Sequence, residues 1–599
     1  MDPEPTPNPT GGEPAPSAEP RPVRDDPPGP RRTRRRRWPW LVVAVVLVAI
    51  LGLGGWLAAR VLTVRDDLTA ARGAVAGLGD SEDPRRAVDT IAAHARSAVA
   101  AADDPVWRAA EHLPWIGDNL TAVRLSSEAL DALTTGLAVP VLDSLDTGGD
   151  GPVLGRVLPL LSQASGRVSE LNAAVEAVRG DPDLVGEVRA GVDQVGDVLA
   201  AADPVLSTLP AMLGADGVRN YLMVAQSNAE VLALGGSAAS QTLLRFDEGK
   251  VEIVKQADSG DYQWGVPADV EIDQSAIDLY NEYLINNVNT SVGRPDWPTA
   301  ARTISALWQR DIDDTPIDGL LSVDPLALAR VMKATGPVTV DDRTLTSENI
   351  VEFVLSEVYT LADPGAIGET SDEVFKQVAI AVFDRLAKGD FDPVVLLGAV
   401  EQSIDTGSLM FYSTDPALQE RIAGLRIAGI LPTTNDESTT IGVYYRDASL
   451  GSKKDYYLHS DTEVVSRCTT DGGMEYTVSV TVWLDLTRKQ AEKLPRYVTG
   501  GDLADKTFRT QVFIYGPPGT TVTGAERDKD LTWNWRPLDL TDLGRPTPSF
   551  MTINPLGGKK VTVSVTFAGP PAHYGPLEVR TTPIVNPTTV TVDEQACTR

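Results

Sequence analysis

This chain of 599 residues has few of the residues that build metal sites and catalytic triads. It contains two cysteines and four histidines, and the histidines are His94, His112, His459 and His573. None of them shows a zinc-site spacing such as Cys-x-x-Cys or His-Glu-x-x-His, and no Gly-x-x-x-x-Gly-Lys phosphate loop is present. A serine hydrolase needs a histidine base, and no histidine lies between residues 214 and 407. We therefore predict no catalytic residue, no metal site and no cofactor.

Basic residues are scarce relative to acidic ones. The chain has 53 Lys and Arg against 83 Asp and Glu, which gives a formal net charge of −30. Eight Arg and six acidic residues lie in 1–40, a net of +2, so the remainder carries −32. A surface this acidic repels the phosphates of nucleic acid, and we exclude nucleic acid as a partner. Solubility outside the cell explains the charge most simply, and cationic partners or divalent cations are the alternative.

One long apolar run, Leu41–Ala59, stands near the N-terminus. It holds no charged residue, and a helix of about 20 apolar residues crosses a membrane core of about 30 Å. Six arginines in 31–37 precede it, with Trp38 and Trp40 between. The positive-inside rule then leaves the N-terminus in the cytoplasm and the bulk of the chain outside the cell membrane. A cleaved signal peptide would have a shorter apolar core, and a buried soluble helix would not carry this arginine cluster.

Changes in composition divide the chain into five segments and predict a multidomain α+β protein. We predict a disordered, Pro- and Arg-rich cytoplasmic tail (1–37) and a single transmembrane helix (38–60). Outside the membrane we predict a helical bundle or stalk (61–213), a mixed α/β domain (214–407) and an immunoglobulin-like β-sandwich (408–599).

In the helical segment, apolar residues recur at helical spacing between turn signals such as Asp203-Pro204. This pattern predicts four to six antiparallel helices, with a long coiled coil as the alternative. From residue 214, strand and helix patterns alternate. The predicted strands are 221–225, 241–246, 251–254, 317–323 and 338–340; the predicted helices are 274–285, 299–309, 325–334, 347–359, 372–387 and 394–405.

The last segment is strand-like from Thr439 onward. The predicted strands are 441–445, 476–484, 510–515, 561–567 and 588–592. Both cysteines, Cys468 and Cys597, fall in this segment. Outside the cell, they would form a disulfide that ties the C-terminus to its own domain, and two free buried thiols are the alternative.

Several motifs resemble a bacterial envelope family that is known as domain of unknown function four-zero-one-two. The resemblance covers about residues 214–458 and agrees with the membrane anchor and stalk. The family usually has an arginine where Leu232 stands here. The motifs that carry the resemblance are Arg219–Gly236, Asp296–Ala301, Asp318–Pro325, Thr335–Pro337, Leu345–Asn349 and Gly451–Leu458.

A more distant likeness connects the strand order and Asp318–Val340 with the LytR–CpsA–Psr family. Those membrane-anchored enzymes transfer glycopolymers from polyprenyl pyrophosphate to peptidoglycan, with Arg, Asp and Mg²⁺ around the pyrophosphate. The resemblance places one family motif at Gly236-Ser237-Ala238, a second at Asp258 and a third at Lys376, without the arginines of that family. Guanidinium groups that fork onto phosphate oxygens are therefore absent where this chemistry needs them.

The candidate ligand-binding residues lie in three groups along the α/β segment. Each also has a structural interpretation, because Asn, Asp and Gly have strong turn and capping roles. The candidates are Asn228, Glu230, Gly235, Gly236, Ser237, Asp258, Asp261 and Lys376.

Two functions remain open from the sequence. The first is a non-enzymatic envelope protein that binds or scaffolds a cell-wall glycopolymer or a partner protein, anchored in the lipid bilayer. The alternative is a divergent Mg²⁺-dependent glycopolymer phosphotransferase, with carboxylates holding the metal. The missing arginines favour the first interpretation, so enzymatic activity is left uncertain.

Overall fold

The computed structural model describes residues 38–76, 84–146, 152–361, 365–449, 451–501 and 508–594. The chain divides into two compact units, Met1–Ala59 and Arg60–Arg599. The predicted tail, 1–37, lies outside the described residues. A search of the described helices finds none with both the length and the hydropathy of a membrane span. The fold is mixed α+β, with helices and several sheets, as the sequence predicts.

The first part of the described chain is helical. A π-helical turn, Thr134–Ala138, lies between two of its helices. The helices are α1 (Trp38–Ala76), α2 (Pro84–Ala102), α3 (Pro105–Ala110), α4 (Gly117–Leu133), α5 (Val139–Asp146), α6 (Val153–Arg179) and α7 (Gly186–Met212).

Helices α4, α6 and α7 share a hydrophobic core because each has an apolar stripe. In α6 the buried positions Leu161, Ala164, Val168, Leu171 and Val175 recur every three or four residues, which places them on one helix face. The predicted break at Asp203-Pro204 is wrong, since α7 continues through this position. Packing of buried apolar residues on both sides offsets the hydrogen bond that the proline ring removes.

The next part alternates strands with helices. A 3-10 helix, Ser259–Asp261, follows β3, and a π-helical turn, Phe353–Glu357, separates α12 from α13. The elements are β1 (Arg219–Ser227), β2 (Ser237–Asp247), β3 (Lys250–Asp258), α8 (Gln274–Tyr280), α9 (Tyr283–Asn286), α10 (Trp297–Asp311), β4 (Gly319–Val323), α11 (Pro325–Thr335), β5 (Val338–Val340), β6 (Arg343–Leu345), α12 (Ile350–Glu352), α13 (Val358–Leu361), α14 (Ile367–Lys388), α15 (Pro393–Asp405), β7 (Leu409–Ser413) and α16 (Pro416–Ile422).

A five-stranded sheet, in the order β3-β2-β1-β4-β7, organises this part. Only β1 and β4 run parallel to each other, and the other neighbouring pairs are antiparallel. One face of the sheet packs against α10, whose Trp297, Ile304 and Trp308 are buried. Strand β7 begins at Leu409, so the sheet extends past residue 407, where the sequence placed a domain boundary.

The predicted helix 274–285 is interrupted. It forms α8 and α9, with a break at Asn281, whose φ is 65°. Asn281 tolerates this left-handed conformation better than most residues. Side chains from the C-terminal part also bind here: Trp535 Nε1 donates to the carbonyl of Leu279 (3.1 Å), and Arg536 donates to Asn281 Oδ1 (2.5 Å). Tertiary contacts therefore end a helix that the local pattern would continue.

The C-terminal part is mostly strands. The elements are β8 (Thr439–Asp447), β9 (Leu458–Cys468), β10 (Met474–Leu484), α17 (Arg488–Ala491), α18 (Arg496–Thr499), β11 (Arg509–Tyr515), β12 (Thr521–Arg527), β13 (Thr532–Asn534), β14 (Thr541–Asp542), β15 (Arg545–Pro546), β16 (Ser549–Ile553), β17 (Val561–Gly569), β18 (Leu577–Thr581) and β19 (Thr589–Glu594).

Two five-stranded sheets form in this part, in the orders β12-β17-β10-β9-β19 and β13-β16-β11-β8-β18. Strand β10 alternates buried and half-buried residues along its whole length, as expected of a strand with one face in a core. Its buried residues share one hydrophobic cluster with Ile441, Val443 and Tyr445 of β8 and with Val512 and Ile514 of β11, so the two sheets share a core.

Candidate functional site

The carboxyl ends of β1 and β4 lie at the same edge of the sheet because these strands are parallel. Ligands of α/β proteins bind preferentially at such an edge. Asn228 directly follows β1, and Asp324 directly follows β4. Both are buried, and Asn228 Nδ2 donates to Asp324 Oδ2 over 3.1 Å. The structure therefore brings the predicted candidate Asn228 against a carboxylate from the neighbouring strand.

Asp324 caps helix α11. Its Oδ1 accepts a hydrogen bond from the Ala327 amide (2.8 Å), and Pro325 occupies the first helical position, as the Asp-Pro pair predicts. Burial raises the pKa of the Asp324 carboxyl, while the Ala327 amide, Asn228 and Ser408 oppose this shift. Burial also lowers the pKa of nearby Arg330, which the Asp324 charge opposes. This carboxylate is engaged in holding the helix and the strand end together.

Glu230 and Ser237 form a second polar group at this edge. The Ser237 hydroxyl donates to Glu230 Oε2 (2.7 Å), and Lys453 Nζ lies 3.0 Å from Glu230 Oε1. The Lys453 ammonium also lies over the rings of Tyr359 and Tyr497, at 5.6 and 5.1 Å from their centroids. Burial opposes the charge of Lys453, but Glu230 and the two tyrosines raise its pKa above the ordinary value. The ammonium thus neutralises the candidate carboxylate.

Gly235 and Gly236 let the chain turn back tightly into β2. Gly235 has φ of 135°, and a Cβ on Gly236 would lie 2.0 Å from the carbonyl oxygen of Ser227. The Gly236 amide donates to Gln226 Oε1 over 2.8 Å. A side chain on Gly236 would displace the end of β1, and Gly235 has a φ that other residues rarely adopt, so the glycines have a structural role here.

Asp258 and Asp261 form a capping box at the end of β3. Asp258 Oδ1 accepts from the Gly260 amide (2.8 Å), and Asp261 Oδ2 accepts from the Asp258 amide (3.0 Å). Lys376 lies half-buried on α14. Among the described residues, no hydrogen bond or ion pair joins these three side chains to Asn228, Glu230 or Ser237. The structure therefore assembles five of the eight candidates and leaves three apart.

Sequence reasoning missed a buried charged triad beside this edge. Lys454 Nζ lies 2.7 Å from Asp447 Oδ1 and 2.5 Å from Asp455 Oδ1, and Asp455 Oδ2 accepts from the Val231 amide (2.9 Å). Burial raises the pKa of Asp455 to about 7, assisted by Asp447 and opposed by Lys454. The consecutive charges of Lys453-Lys454-Asp455 were a visible signal, but their burial depends on the tertiary fold.

This triad belongs to a wider junction between the end of β1 and the C-terminal strands. The backbone of residues 229–233 bonds to that part repeatedly: Asp447 N to Val231 O (2.7 Å), Asp455 N to Ala229 O (3.2 Å) and Thr582 Oγ1 to Ala233 O (3.0 Å). Asn228 Nδ2 also donates to Pro583 O (3.0 Å). We call the side chains of Asn228, Glu230, Ser237, Asp324, Asp447, Lys453, Lys454 and Asp455 the junction cluster.

A search of the described residues for metal ligands finds one group elsewhere. The carboxylates of Asp118, Asp181 and Asp183 have ligand atoms within 4.8 Å of one another, at the surface of the helical part. In the junction cluster, each carboxylate instead meets an ammonium, an amide or a hydroxyl of this chain. These contacts hold the end of β1 and the C-terminal strands together.

Residues 216–359 match the model of a family that is described as a protein of unknown function, DUF4012. Two solved structures are similar in part. The Lin1025 protein from Listeria innocua is 15% identical, covers 36% of this chain and 81% of its own, and has a TM-score of 0.20. A protein from Bacillus subtilis described as the transcriptional regulator yvhJ is 18% identical, covers 39% and 85%, and has a TM-score of 0.19. Such low scores carry no argument about this fold.

No curated protein matches the chain. The resemblance to the family of unknown function, predicted from the motifs that begin at Arg219, is confirmed over residues 216–359.

Proposed function

We propose that this protein is a membrane-anchored, extracytoplasmic cell-envelope protein that binds or scaffolds a cell-wall polymer or a partner protein without catalysing a reaction. One observation carries the non-enzymatic part. The candidate carboxylates at the carboxyl ends of β1 and β4 are engaged by side chains and amides of the same chain, as in Asp324 with Asn228 and Glu230 with Lys453. Phosphoryl transfer instead requires charged groups that are directed at a substrate.

An exposed aromatic surface supports polymer binding. Trp264 is 71% exposed, in the loop that follows the 3-10 helix after β3, and Tyr283 of α9 is 45% exposed. The loop contacts α9, because the Gly265 amide donates to the carbonyl of Asn286 (3.0 Å). Aromatic rings with one face in water can stack on the apolar faces of sugar rings. Trp297, by contrast, is fully buried in the core.

Co-sedimentation with insoluble peptidoglycan that retains its wall glycopolymers tests this function. We expect the full-length protein in detergent to sediment with this material, and Trp264→Ala to weaken the interaction several-fold. The control is Leu397→Ala, which truncates another exposed apolar side chain, on α15. If the wild-type protein stays in the supernatant, polymer binding is excluded and a protein partner is the remaining form of the proposal.

The membrane anchor rests on the apolar run 41–59 and the arginines before it. An exposed tryptophan in the loop after α3 agrees with it. Arg60, which follows the run, pairs with Asp104 (3.4 Å), and Asp104 caps α3, which leads into this loop. In the loop, Trp115 is 87% exposed. Exposed tryptophans are typical of proteins that meet a membrane–water interface.

Membrane extraction tests the anchor. The wild-type protein is expected to stay in the membrane pellet after alkaline carbonate treatment. Val46→Lys combined with Leu51→Lys is expected to release it, since each lysine at the centre of a span costs about 2.5–3.5 kcal/mol. If the wild-type protein is extracted as readily as this variant, the proposed anchor is wrong.

We further propose that the C-terminal part is an immunoglobulin-like sandwich closed by a disulfide. Two sheets with a common core support the sandwich. Strands β9 and β19 are parallel neighbours with Glu594 opposite Ser466, and Cys468 ends β9. Cys597 lies outside the described residues. Peptide mapping without reductant is expected to recover the two cysteines in one cross-linked fragment, and recovery of two free thiols would contradict the bridge.

The second candidate function is a divergent Mg²⁺-dependent glycopolymer phosphotransferase. The resemblance of Asp318–Val340 supports it, whereas the capping box of Asp258 and Asp261 does not. Calorimetry with a polyprenyl pyrophosphate analogue, with and without Mg²⁺, distinguishes the two candidates. Mg²⁺-dependent binding that is lost in Asp258→Ala would establish the transferase interpretation, and no binding at millimolar ligand would exclude it.

A further inference from the structure

A small cavity with two arginines lies beside the junction, because Ala233 and Pro583 are among the residues that line it. Its walls come from the end of α15, the segment after α16, β8 and β18. The side chains of Arg426 and Arg580 line it, together with Tyr444 and Met410. We call it the arginine cavity. Its volume is about 40 Å³, which accommodates a few water molecules or one small oxyanion.

The arginine cavity has more positive than negative charge around it. Glu578 accepts two hydrogen bonds from Arg580 (3.0 Å each), and its Oε1 lies 3.3 Å from Arg426 Nη1. Arg545 lies fully buried nearby and donates to main-chain carbonyls, such as that of Thr440 (2.7 Å). Glu578 pairs with Arg426 and Arg580, and the charge of the exposed Asp405 also acts on Arg426, so among the described residues three guanidinium groups meet two carboxylates.

The arginines cannot relieve this imbalance by losing protons at neutral pH, since an arginine stays charged in proteins. Burial lowers the pKa of Arg426, and the neighbouring Arg580 lowers it further, while Glu578 opposes the shift. Burial has the opposite effect on Tyr444 and raises its pKa, so its hydroxyl keeps its proton and can donate a hydrogen bond. A bound anion would offset the repulsion and accept hydrogen bonds from these groups.

Arg580 retains donors for such a ligand. Of its five N–H groups, the described residues accept three hydrogen bonds: two go to Glu578 and one to the carbonyl of Ile430 (3.0 Å). The main chain itself lines the cavity at Gly407 and Gly429, whose φ angles are 78° and 61°. A Cβ on Gly429 would lie 2.5 Å from Met410 Sδ, so this wall depends on glycine.

We propose that the arginine cavity is an oxyanion-binding site that takes a phosphate or carboxylate group through Arg426 and Arg580. The ligand is either a free anion or an anionic group carried by a cell-wall polymer, which present the same chemistry to the guanidinium groups. The site is distinct from the Trp264 surface, so each can be correct without the other.

Calorimetric titration of the full-length protein in detergent tests the site, with inorganic phosphate and sodium citrate as probes at constant ionic strength. We expect saturable binding that weakens by about tenfold or more in Arg580→Gln and in Arg426→Gln, because each loses a charged hydrogen bond. Arg421→Gln is the control, since this arginine on α16 is exposed and does not line the cavity. Equal weakening in all three variants would overturn the proposal.

Glu578→Gln keeps the test informative even if the arginine variants fail to fold. It removes the carboxylate that competes with the ligand, so we expect tighter phosphate binding. Unchanged or weaker phosphate binding in a folded Glu578→Gln protein would contradict the site.

A soluble glycerol phosphate oligomer distinguishes the two sources of the ligand. Oligomer binding that inorganic phosphate displaces assigns the site to a polymer group, and binding of the small anions alone assigns it to a free anion. Absence of binding by phosphate, citrate and oligomer overturns the proposal. Trp264→Ala should leave phosphate binding unchanged, and a loss there would show that the two surfaces are not independent.

Discussion

The junction cluster and the arginine cavity both gather buried charges, but they balance them differently. In the junction cluster, Lys454 lies between Asp447 and Asp455, and Lys453 meets Glu230. Around the arginine cavity, Arg426 and Arg580 both pair with the carboxylate of Glu578, and the buried Arg545 adds a third positive charge. Buried charges that pair with one another hold segments of a chain in place. A cavity with an excess of positive charge can instead bind an anionic ligand.

The triad of Asp447, Lys454 and Asp455 within the junction cluster is also more closed than the arginine cavity. Lys454 and Asp455 have almost no exposed surface, and Asp455 binds the Val231 amide directly. The Arg426 side chain keeps 28% of its surface exposed, next to a cavity. Access and charge balance together separate a structural cluster from a candidate binding site, and the next four predictions test this comparison.

The largest effect is expected from Lys454→Met, which removes the ammonium and leaves Asp447 and Asp455 buried together. Breaking a buried ion pair costs about 3–5 kcal/mol, so the free energy of unfolding should fall by that amount. Urea denaturation of the full-length protein in detergent measures it. Lys388→Met removes an exposed partner of Asp384 and should change stability by about 1 kcal/mol or less. Similar losses in both variants would show that the junction cluster is not a structural cluster.

A smaller loss is expected from Asp324→Ala. The variant removes the cap of α11 and leaves Asn228 without its carboxylate partner, which should cost about 2–3 kcal/mol. The matched control is Asp392→Ala at the start of α15, an exposed cap that also precedes a proline, with an expected cost of about 1 kcal/mol. A Tm that drops equally in both would mean that the contact with Asn228 adds nothing.

The pH dependence of stability tests Asp455. Its pKa is about 7 in the folded protein, against an ordinary value of 3.8, so the folded state holds this proton over a range where the unfolded state has lost it. The contribution to stability is present below pH 3.8 and is lost as the pH rises through about 7. Asp455→Asn should therefore show a smaller decrease in Tm between pH 5 and pH 8 than the wild-type protein. An unchanged profile would contradict this assignment.

The smallest effect is expected from Asp258→Ala, which opens the capping box after β3. An exposed cap of this kind is worth about 1 kcal/mol. Phosphate binding in the arginine cavity should not change, because the structure places Asp258 on the edge strand β3, away from the residues that line the cavity. Weaker phosphate binding in this variant would extend the anion site to the residues that the sequence proposed.

Local patterns in the sequence predicted many elements because their physical causes are local. The pair of strands β2 and β3 follows from two apolar runs around the turn Asp247–Lys250, and α11 follows from Asp324-Pro325. Strand β9 was missed although it alternates buried and half-buried positions. Its buried positions include Ser460, Thr462 and Ser466, so the alternation is not one of apolar residues.

For the candidate residues, too, the sequence indicated only what depends on residues nearby in the chain. The sequence marked Asn228 and Glu230 as candidate ligand-binding residues, but it did not show that Lys453 would neutralise Glu230. Asp258 and Asp261 were candidates with an alternative structural role, and the capping box that they form spans only four residues, so its cause is local in the sequence. The role of an ionisable residue can be interpreted from the sequence when its partner is a few positions away in the chain. It cannot be interpreted when the partner is far away in the sequence.

The sequence by itself determined the periodic helices and strands, the turns and caps between them, and the family match over residues 216–359. These depend on residues close together in the chain. Only the tertiary structure decided that Lys454 is buried and that Arg426 and Arg580 meet at one cavity. The physical reason is that charge balance and desolvation depend on neighbours in space, and contacts between the segment after β1 and the C-terminal strands bring these neighbours together.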